Sequence, residues 1–333
     1  MTGAVVHHAW CQGHDPGPEH PEGADRLEGI LGAVRADTAL RGAVREVQAR
    51  PATLQDLLRV HAPEHLALVR KAAEEASSAG GVRWLDPDTA VSALSFEAAL
   101  ASAGCAIEAA ELVARGEASA AFACCRPPGH HATPDRAMGF CLFNNVAVAA
   151  RRLQARFAME RLLIVDWDVH HGNGTQEIFW EDPSIYYLSL HLYPHYPGTG
   201  AASERGAGAG AGTTRNVPLG HGTTAAEYRD AFREALDATL EEFTPEMVLV
   251  SAGFDCLAGD PLGGILLEPA DLHAIASDLL ERTRSATDGR IAAVLEGGYV
   301  PARMGQAVAD VLRSFCGLPA SAGEATSPSP AAP

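Results

Sequence analysis

Short apolar runs alternate with longer stretches of helical spacing along most of the chain. Ala121 to Cys125, Leu162 to Asp168, Ile185 to Leu190, Met247 to Ala252 and Ile291 to Leu295 are strand-length runs with little internal polarity. Runs of that kind suit strands covered on both faces. Val5 to Trp10 reads as a further short strand. From Asp25, residues Leu27, Ile30, Leu31 and Val34 fall at helical spacing. Phe96 to Arg115, Asn145 to Phe157, Ala225 to Glu242 and Asp271 to Arg284 read as helices, and Pro63 suits the first turn of another. The alternation predicts a single α/β domain with a mainly parallel sheet and helices on both faces. Trp84 to Asp88 and the Gly/Ala-rich segment Gly206 to Gly212 read as loops. The domain is expected to span residues 1–318, with an Ala/Ser/Pro-rich disordered tail over 319–333.

The polar residues break this pattern at matching places. His130-His131, Asp168 to His170, the loop holding Tyr196, Asp255 and Tyr299 each follow a different apolar run. In open α/β sheets the ligand crevice lies outside the carboxyl ends of the strands, so these groups should meet on one rim. Asp166, Asp168 and His170 alternate in sequence, which in an extended strand puts them on one face. Two acids and an imidazole at a buried strand end need a partner, and a divalent cation supplies one.

Asp168, His170 and Asp255 make a three-ligand set of the kind that leaves a catalytic metal an open position. Its oxygen-rich donors suit zinc, and also Fe2+, Co2+ or Mn2+. Such a metal polarises a carbonyl and acidifies water. His130 and His131 are candidate bases, with Asp166 and Asn173 to orient them. Tyr299 can donate to a developing oxyanion. Together these groups describe amide or ester hydrolysis. Taken singly each has an ordinary explanation: a loop histidine, an Asp255 helix cap, a buried Tyr299 ring. Their shared position argues against that. His61 and His65 lack a convergent acid and read as structural or surface residues.

Composition narrows the field. The net charge of −17 speaks against a nucleic-acid partner. Seven cysteines without a CxxC pair indicate neither a disulfide framework nor a zinc knuckle. There is no signal-like start and no 18-residue apolar run, so a cytoplasmic protein without membrane partner is expected. The Ala- and Gly-rich composition is compatible with a bacterial origin.

Five motifs then carry a resemblance. They are Arg126-Pro127-Pro128-Gly129-His130-His131-Ala132, Gly139 to Asn145, Asp166 to Gln176, Ser251 to Asp255 and Leu295-Glu296-Gly297-Gly298-Tyr299. In this order, from about His20 to Leu318, they resemble the histone deacetylase family of the arginase-deacetylase fold. Asn173 and the Leu-Glu-Gly-Gly-Tyr ending make the chain similar to class II deacetylases and bacterial histone deacetylase-like amidohydrolases.

The resemblance implies about eight strands and zinc held by Asp168, His170 and Asp255. It implies a general base at His131 oriented by Asn173, His130 paired with Asp166, and Tyr299 polarising the acyl carbonyl. Phe140 and Tyr196 match the walls of the acyl-lysine channel, the second of which is often Phe. Gly139 matches the carbonyl that holds the substrate amide. Structural potassium is implied at Asp166, Asp168, His170, Ser189 and Leu190, with a second site near Phe179, Asp182 and Ile185.

Polyamine-selective relatives carry an acidic gatekeeper where this chain has Leu262. The expected substrate is therefore an acyl-lysine protein or peptide, with a small acylated amine as the alternative. An acyl-lysine binding module without activity is disfavoured by the intact site. A two-manganese ureohydrolase is disfavoured by Val169 and His171, which stand where further acids would be wanted. A homo-oligomer stays open.

Overall fold

The computed structural model describes residues 2–321. In chain order the strands are β1 (Gly3–His7), β2 (Val44–Gln48), β3 (Arg83–Asp86), β4 (Thr89–Val91), β5 (Ala120–Ala123), β6 (Leu162–Asp166), β7 (Ile185–Leu192), β8 (Thr214–Leu219), β9 (Met247–Ala252) and β10 (Ile291–Leu295). The helices are α1 (Asp25–Ala36), α2 (Leu54–Leu57), α3 (Pro63–Ala79), α4 (Ser95–Ala114), α5 (Asn145–Phe157), α6 (Asn173–Phe179), α7 (Ala225–Glu242), α8 (Pro269–Thr287) and α9 (Pro301–Phe315).

Eight strands form one sheet in the order β2-β1-β5-β10-β9-β6-β7-β8. Every neighbouring pair runs parallel. β3 and β4 form a separate antiparallel hairpin. The inner strands β5, β10, β9, β6 and β7 are buried along their whole length. Helices pack around the sheet, which is why these strands read as largely apolar runs.

The edges differ. β2 (Val-Arg-Glu-Val-Gln) and β8 (Thr-Arg-Asn-Val-Pro-Leu) are only partly buried and carry polar residues. An edge strand meets water on one side, so hydrophobicity does not mark it, and neither was expected. The hairpin was expected as loop because its strands are short and its turn holds Pro87 and Asp88. α9 was also not expected.

Three boundaries move in ways that matter. β1 ends at His7, and a 3-10 turn, Ala9–Gly13, follows it. β7 continues through His191 to Leu192. β6 stops at Asp166, so Asp168 and His170 lie on a bent loop beyond it. Asp168 and His170 therefore do not share a strand face with Asp166, although the three still converge: the loop bends instead of extending.

Register keeps the carboxyl ends level. Asp166 stands beside Ser189 on β7 and Ser251 on β9. Ala252 stands beside Leu295 on β10. The tail expected from Pro319 lies outside the described residues beyond Ser321, which itself hydrogen-bonds Asp310. No helix of the described residues is long and apolar enough to cross a membrane.

His61 is a structural residue. Its Nδ1 donates to the Thr133 carbonyl at 2.9 Å, and its Nε2 accepts the Asn144 N–H at 2.9 Å. It thus ties the loop after β5 to the start of α5. Burial pushes its pKa down to about 3, with the neighbouring His65 acting in the same direction. The folded state keeps His61 neutral, whereas the unfolded chain protonates it below its ordinary value of 6.5. Stability from this group is therefore lost as pH falls below about 6.5, by roughly 2 kcal/mol at pH 5. Thermal unfolding should show a lower midpoint at pH 5 than at pH 7. In His61→Gln, which can keep both hydrogen bonds, the difference should shrink. An equal drop in both proteins would remove His61 from the explanation.

Candidate active site

The loops beyond β6, β9 and β10 bring together two carboxylates and an imidazole. Asp168 and Asp255 have no exposed surface, and His170 is 8% exposed. His170 Nδ1 lies 3.0 Å from Asp168 Oδ1 and 3.1 Å from Asp255 Oδ2. Main-chain donors hold the acids in place. Asp168 accepts N–H bonds from His170 at 2.9 Å and from Gly297 at 2.8 Å. Asp255 accepts one from Val169 at 2.9 Å.

The glycines of the two flanking motifs are needed here. A Cβ on Gly297 would collide with carboxylate oxygens of both Asp255 and Asp168, and one on Gly253 would collide with Asp168. The backbone thus forms a cradle around the acids. Burial and the charge of Asp168 push Asp255 up to about 7. Burial opposes the charge of Asp168 too, but His130 and His170 hold it well below the usual carboxylate range. Two buried acids with one imidazole between them form a site that a divalent cation satisfies. Among the described residues this is the one cluster of three or more His, Cys, Asp or Glu groups close enough to share a metal ion, with ligand atoms within 4.8 Å of one another.

Beside it lie two histidines in opposite states. His130 Nδ1 meets Asp166 Oδ2 at 3.0 Å, and Asp166 also accepts the Tyr187 hydroxyl at 2.9 Å. Burial works against charge on His130, but Asp166 and Asp168 outweigh it and push its pKa up to about 10. His131 Nδ1 meets the carbonyl oxygen of Asn173 at 2.8 Å. That oxygen only accepts, so Nδ1 carries the proton and Nε2 is left with a lone pair. Burial and the charges on His130 and His170 push the His131 pKa well below its ordinary value. The pair therefore offers one proton-bearing imidazole and one neutral base, the separation that acid-base sites exploit.

A cavity of about 310 Å³ opens onto these groups. Its lining includes His130, His131, His170, Tyr299, Phe140 and Tyr196. The Phe140 ring stands edge-on to Tyr299 at 5.9 Å, and Tyr196 edge-on to His131 at 5.1 Å. Gly139 and Phe140 both adopt positive φ, +56° and +66°. A Cβ on Gly139 would collide with the His131 ring. For Phe140 the left-handed backbone is a strained choice, and such strain gathers at functional sites.

The structure brings Asp168, His170, Asp255, His130, His131 and Tyr299 to one place, with Gly139, Phe140, Tyr196 and Leu262 around the cavity. Asp166 and Asn173 stand behind the two histidines. Ser189 and Leu190 lie buried on β7, where the Ser189 hydroxyl meets His191 Nδ1 at 2.8 Å. Ionic and polar supports surround these groups. Arg126, the first residue of the motif that holds His130 and His131, grips Glu22 through two bonds of 2.8 Å. Arg26 binds Glu22 at 2.8 Å and the Gly298 carbonyl at 2.7 Å, and its guanidinium lies over the Tyr299 ring. Asp260 takes the Tyr299 N–H at 2.7 Å. Asp88, presented by the β3–β4 hairpin, lines the cavity and accepts the Gly139 N–H at 3.1 Å. His195, also in the lining, stacks on His170 at 5.1 Å. Glu22 and Arg26 stand four residues apart, a spacing that suits an ion pair, but nothing in the sequence marks the pair as buried; Asp260 and the Pro87-Asp88 turn carry no local sign of their partners.

Comparison with known proteins points the same way. Residues 20–315 match the family described as Histone deacetylase domain. The chain is 38% identical over 312 residues to Histone deacetylase 10, chloroplastic, of Oryza sativa subsp. japonica, covering 90% of this chain and 70% of that protein. It is 38% identical over 301 residues to a Probable deacetylase of Archaeoglobus fulgidus, covering 90% of this chain and 81% of that one. The crystal structure of the HDA15 HD domain superposes with a TM-score of 0.89 at 36% identity, covering 99% of this chain and 90% of that one. The chloroplastic label of the rice protein gives no support to a cytoplasmic location. The all-parallel sheet with its catalytic-type rim is thus the arginase-deacetylase fold of an amide hydrolase, and the chain belongs to the histone deacetylase family.

Proposed function

We propose that the protein is a zinc-dependent deacylase of Nε-acyl-lysine in proteins or peptides. The observation that carries this reading is His131, held through Nδ1 by Asn173, beside the buried Asp168–His170–Asp255 cluster at a cavity lined by Phe140 and Tyr196. Asp168, His170 and Asp255 would hold the metal. When bound, zinc supplies Lewis-acid polarisation of the acyl carbonyl and acidifies the attacking water.

The chain's own groups do the rest. His131 Nε2 takes the proton of the water, while Asn173 keeps Nδ1 protonated and the ring aimed. Tyr299 donates its hydroxyl proton in a hydrogen bond to the carbonyl oxygen as negative charge develops there. His130, anchored to Asp166, would stabilise the same charge and protonate the leaving amine. Phe140 and Tyr196 flank the lysine methylenes and exclude water. Gly139, fixed through its N–H by Asp88, offers its carbonyl to the substrate amide.

The proposal includes structural potassium at Asp166, Asp168, His170, Ser189 and Leu190. Among the described residues, no chain donor reaches the main-chain carbonyls of Asp168 or His170, both in buried residues. Buried carbonyls of that kind suit a cation.

The rim decides the substrate class. Leu262 lines the cavity, and its backbone is pinned by Asp260 at 3.0 Å and His195 at 3.1 Å. A leucine there gives a second ammonium no partner, which favours acyl-lysine over an acylated polyamine. Asp88 favours the second reading, a small acylated amine, because its carboxylate also lines the cavity. Purified enzyme with zinc should turn over an acetyl-lysine peptide faster than N-acetylputrescine; the reverse order would overturn the substrate assignment. His131→Ala should lower kcat by about 10²- to 10⁴-fold, and Tyr299→Phe by about 10²- to 10³-fold. Bound metal should be unchanged in both. Near-normal turnover in either would remove that residue from its role. Leu262→Glu should raise kcat/KM for N-acetylputrescine relative to the peptide, and no change in the ratio would show that this position is not the selector.

A further inference from the structure

Glu296 belongs to the Leu-Glu-Gly-Gly-Tyr ending, yet neither the ligand set nor the proton transfers use it. It has no exposed surface. Its carboxylate nevertheless makes three hydrogen bonds. Oε2 accepts the main-chain N–H of Gly129 at 2.7 Å and of His130 at 3.1 Å. Oε1 accepts the Ser251 hydroxyl at 2.9 Å. Its own main chain is pinned as well. The N–H reaches the Ala252 carbonyl at 3.0 Å, and the carbonyl accepts Arg26.

These partners come from three strands. Gly129 and His130 follow β5, Ser251 is the last residue but one of β9, and Glu296 directly follows β10. In the sheet β10 lies between β5 and β9. The side chain therefore links three adjacent strand ends, and one of its oxygens holds the turn from which both histidines project. Gly129 has no alternative that would do this from its own side chain. A Cβ there would collide with Asn145 N, so the turn is pressed against the start of α5. Two buried N–H groups in such a turn must be satisfied, and a side chain reaching in from the neighbouring strand satisfies both.

We infer that Glu296 is a positioning residue for the reaction: its carboxylate clamps the Gly129–His130 backbone and so sets where the His131 and His130 rings stand. This deepens the deacylase reading and rests on it for the role of those rings. What matters in this account is reach and hydrogen-bond acceptance by one oxygen, not the negative charge itself. A glutamine has the same reach. Its Oε1 can accept both N–H groups while its Nε2 donates to the Ser251 hydroxyl oxygen. An aspartate keeps the charge but is one methylene too short to hold both ends.

The test compares Glu296→Gln and Glu296→Asp with wild type in the full, zinc-loaded chain. One readout is kcat and KM on an acetyl-lysine peptide. The other is amide hydrogen exchange over residues 127–133 by mass spectrometry. Glu296→Gln should stay within about threefold of wild type in kcat with normal exchange. Glu296→Asp should lose at least about tenfold in kcat with KM little changed, as expected when a catalytic group is displaced by a fraction of an ångström to an ångström. Its exchange should rise over 127–133 and not across the sheet. If Glu296→Gln falls as far as Glu296→Asp, the charge acts and the clamp does not. If Glu296→Asp keeps wild-type kcat and protection, or loses protection throughout the molecule, the positioning role is refuted. The exchange readout needs no substrate. Wild-type protein that ignores the peptide would therefore count against the deacylase reading, while the clamp would still be judged by protection over 127–133.

Discussion

Two carboxylates without access to water, Asp168 and Asp255, face one imidazole at the carboxyl edge of a parallel sheet. Much of the surrounding structure follows from the need to stabilise them. Isolated buried charge is costly, and it persists only where partners are fixed in advance. Here the partners are main-chain N–H groups of Val169, His170 and Gly297, and the backbone can approach because Gly253 and Gly297 lack side chains. A metal would complete the set. The site is thus built into the sheet ends, where parallel register brings β6, β9 and β10 level.

A second layer of buried ions holds this edge in place. Glu22 lies between Arg126 and Arg26 with no exposed surface. Burial opposes its charge, but the two guanidiniums prevail and hold its pKa down to about 2. Arg26 in turn grips the Gly298 carbonyl and covers Tyr299, so an N-terminal helix steadies the tyrosine at the far end of the chain. Glu296 does the same for the histidine turn. Breaking such a pair leaves a buried charge alone, which costs far more than a surface pair is worth.

The inner sheet and the reactive groups were legible in the sequence because both leave strong local signals. The buried strands β6, β9 and β10 are largely apolar runs, and the acids and histidines come at or just beyond their ends. β2 and β8 were not legible, since edge strands mix polar and apolar residues for reasons that depend on solvent, not on period. The path of Asp168 and His170 departs from the sequence pattern for a related cause. Alternation predicts a shared face only while a strand continues, and β6 ends two residues before Asp168. The supporting ions were invisible for a different reason. Arg26 sits on the apolar face of α1 with Glu22 four residues before it in a loop, and the burial of that pair depends on Arg126, 104 residues beyond Glu22.

The central claim is that one divalent metal, held by three side chains at the sheet edge, is required for amide hydrolysis by this protein. It is tested most directly by titrating chelator-stripped protein with zinc while measuring bound metal and acetyl-lysine peptide turnover in the same samples. The account predicts negligible activity in the stripped protein, rising in proportion to bound zinc and levelling near one equivalent. Full turnover without metal, or activity that appears only as a second equivalent binds, would contradict it.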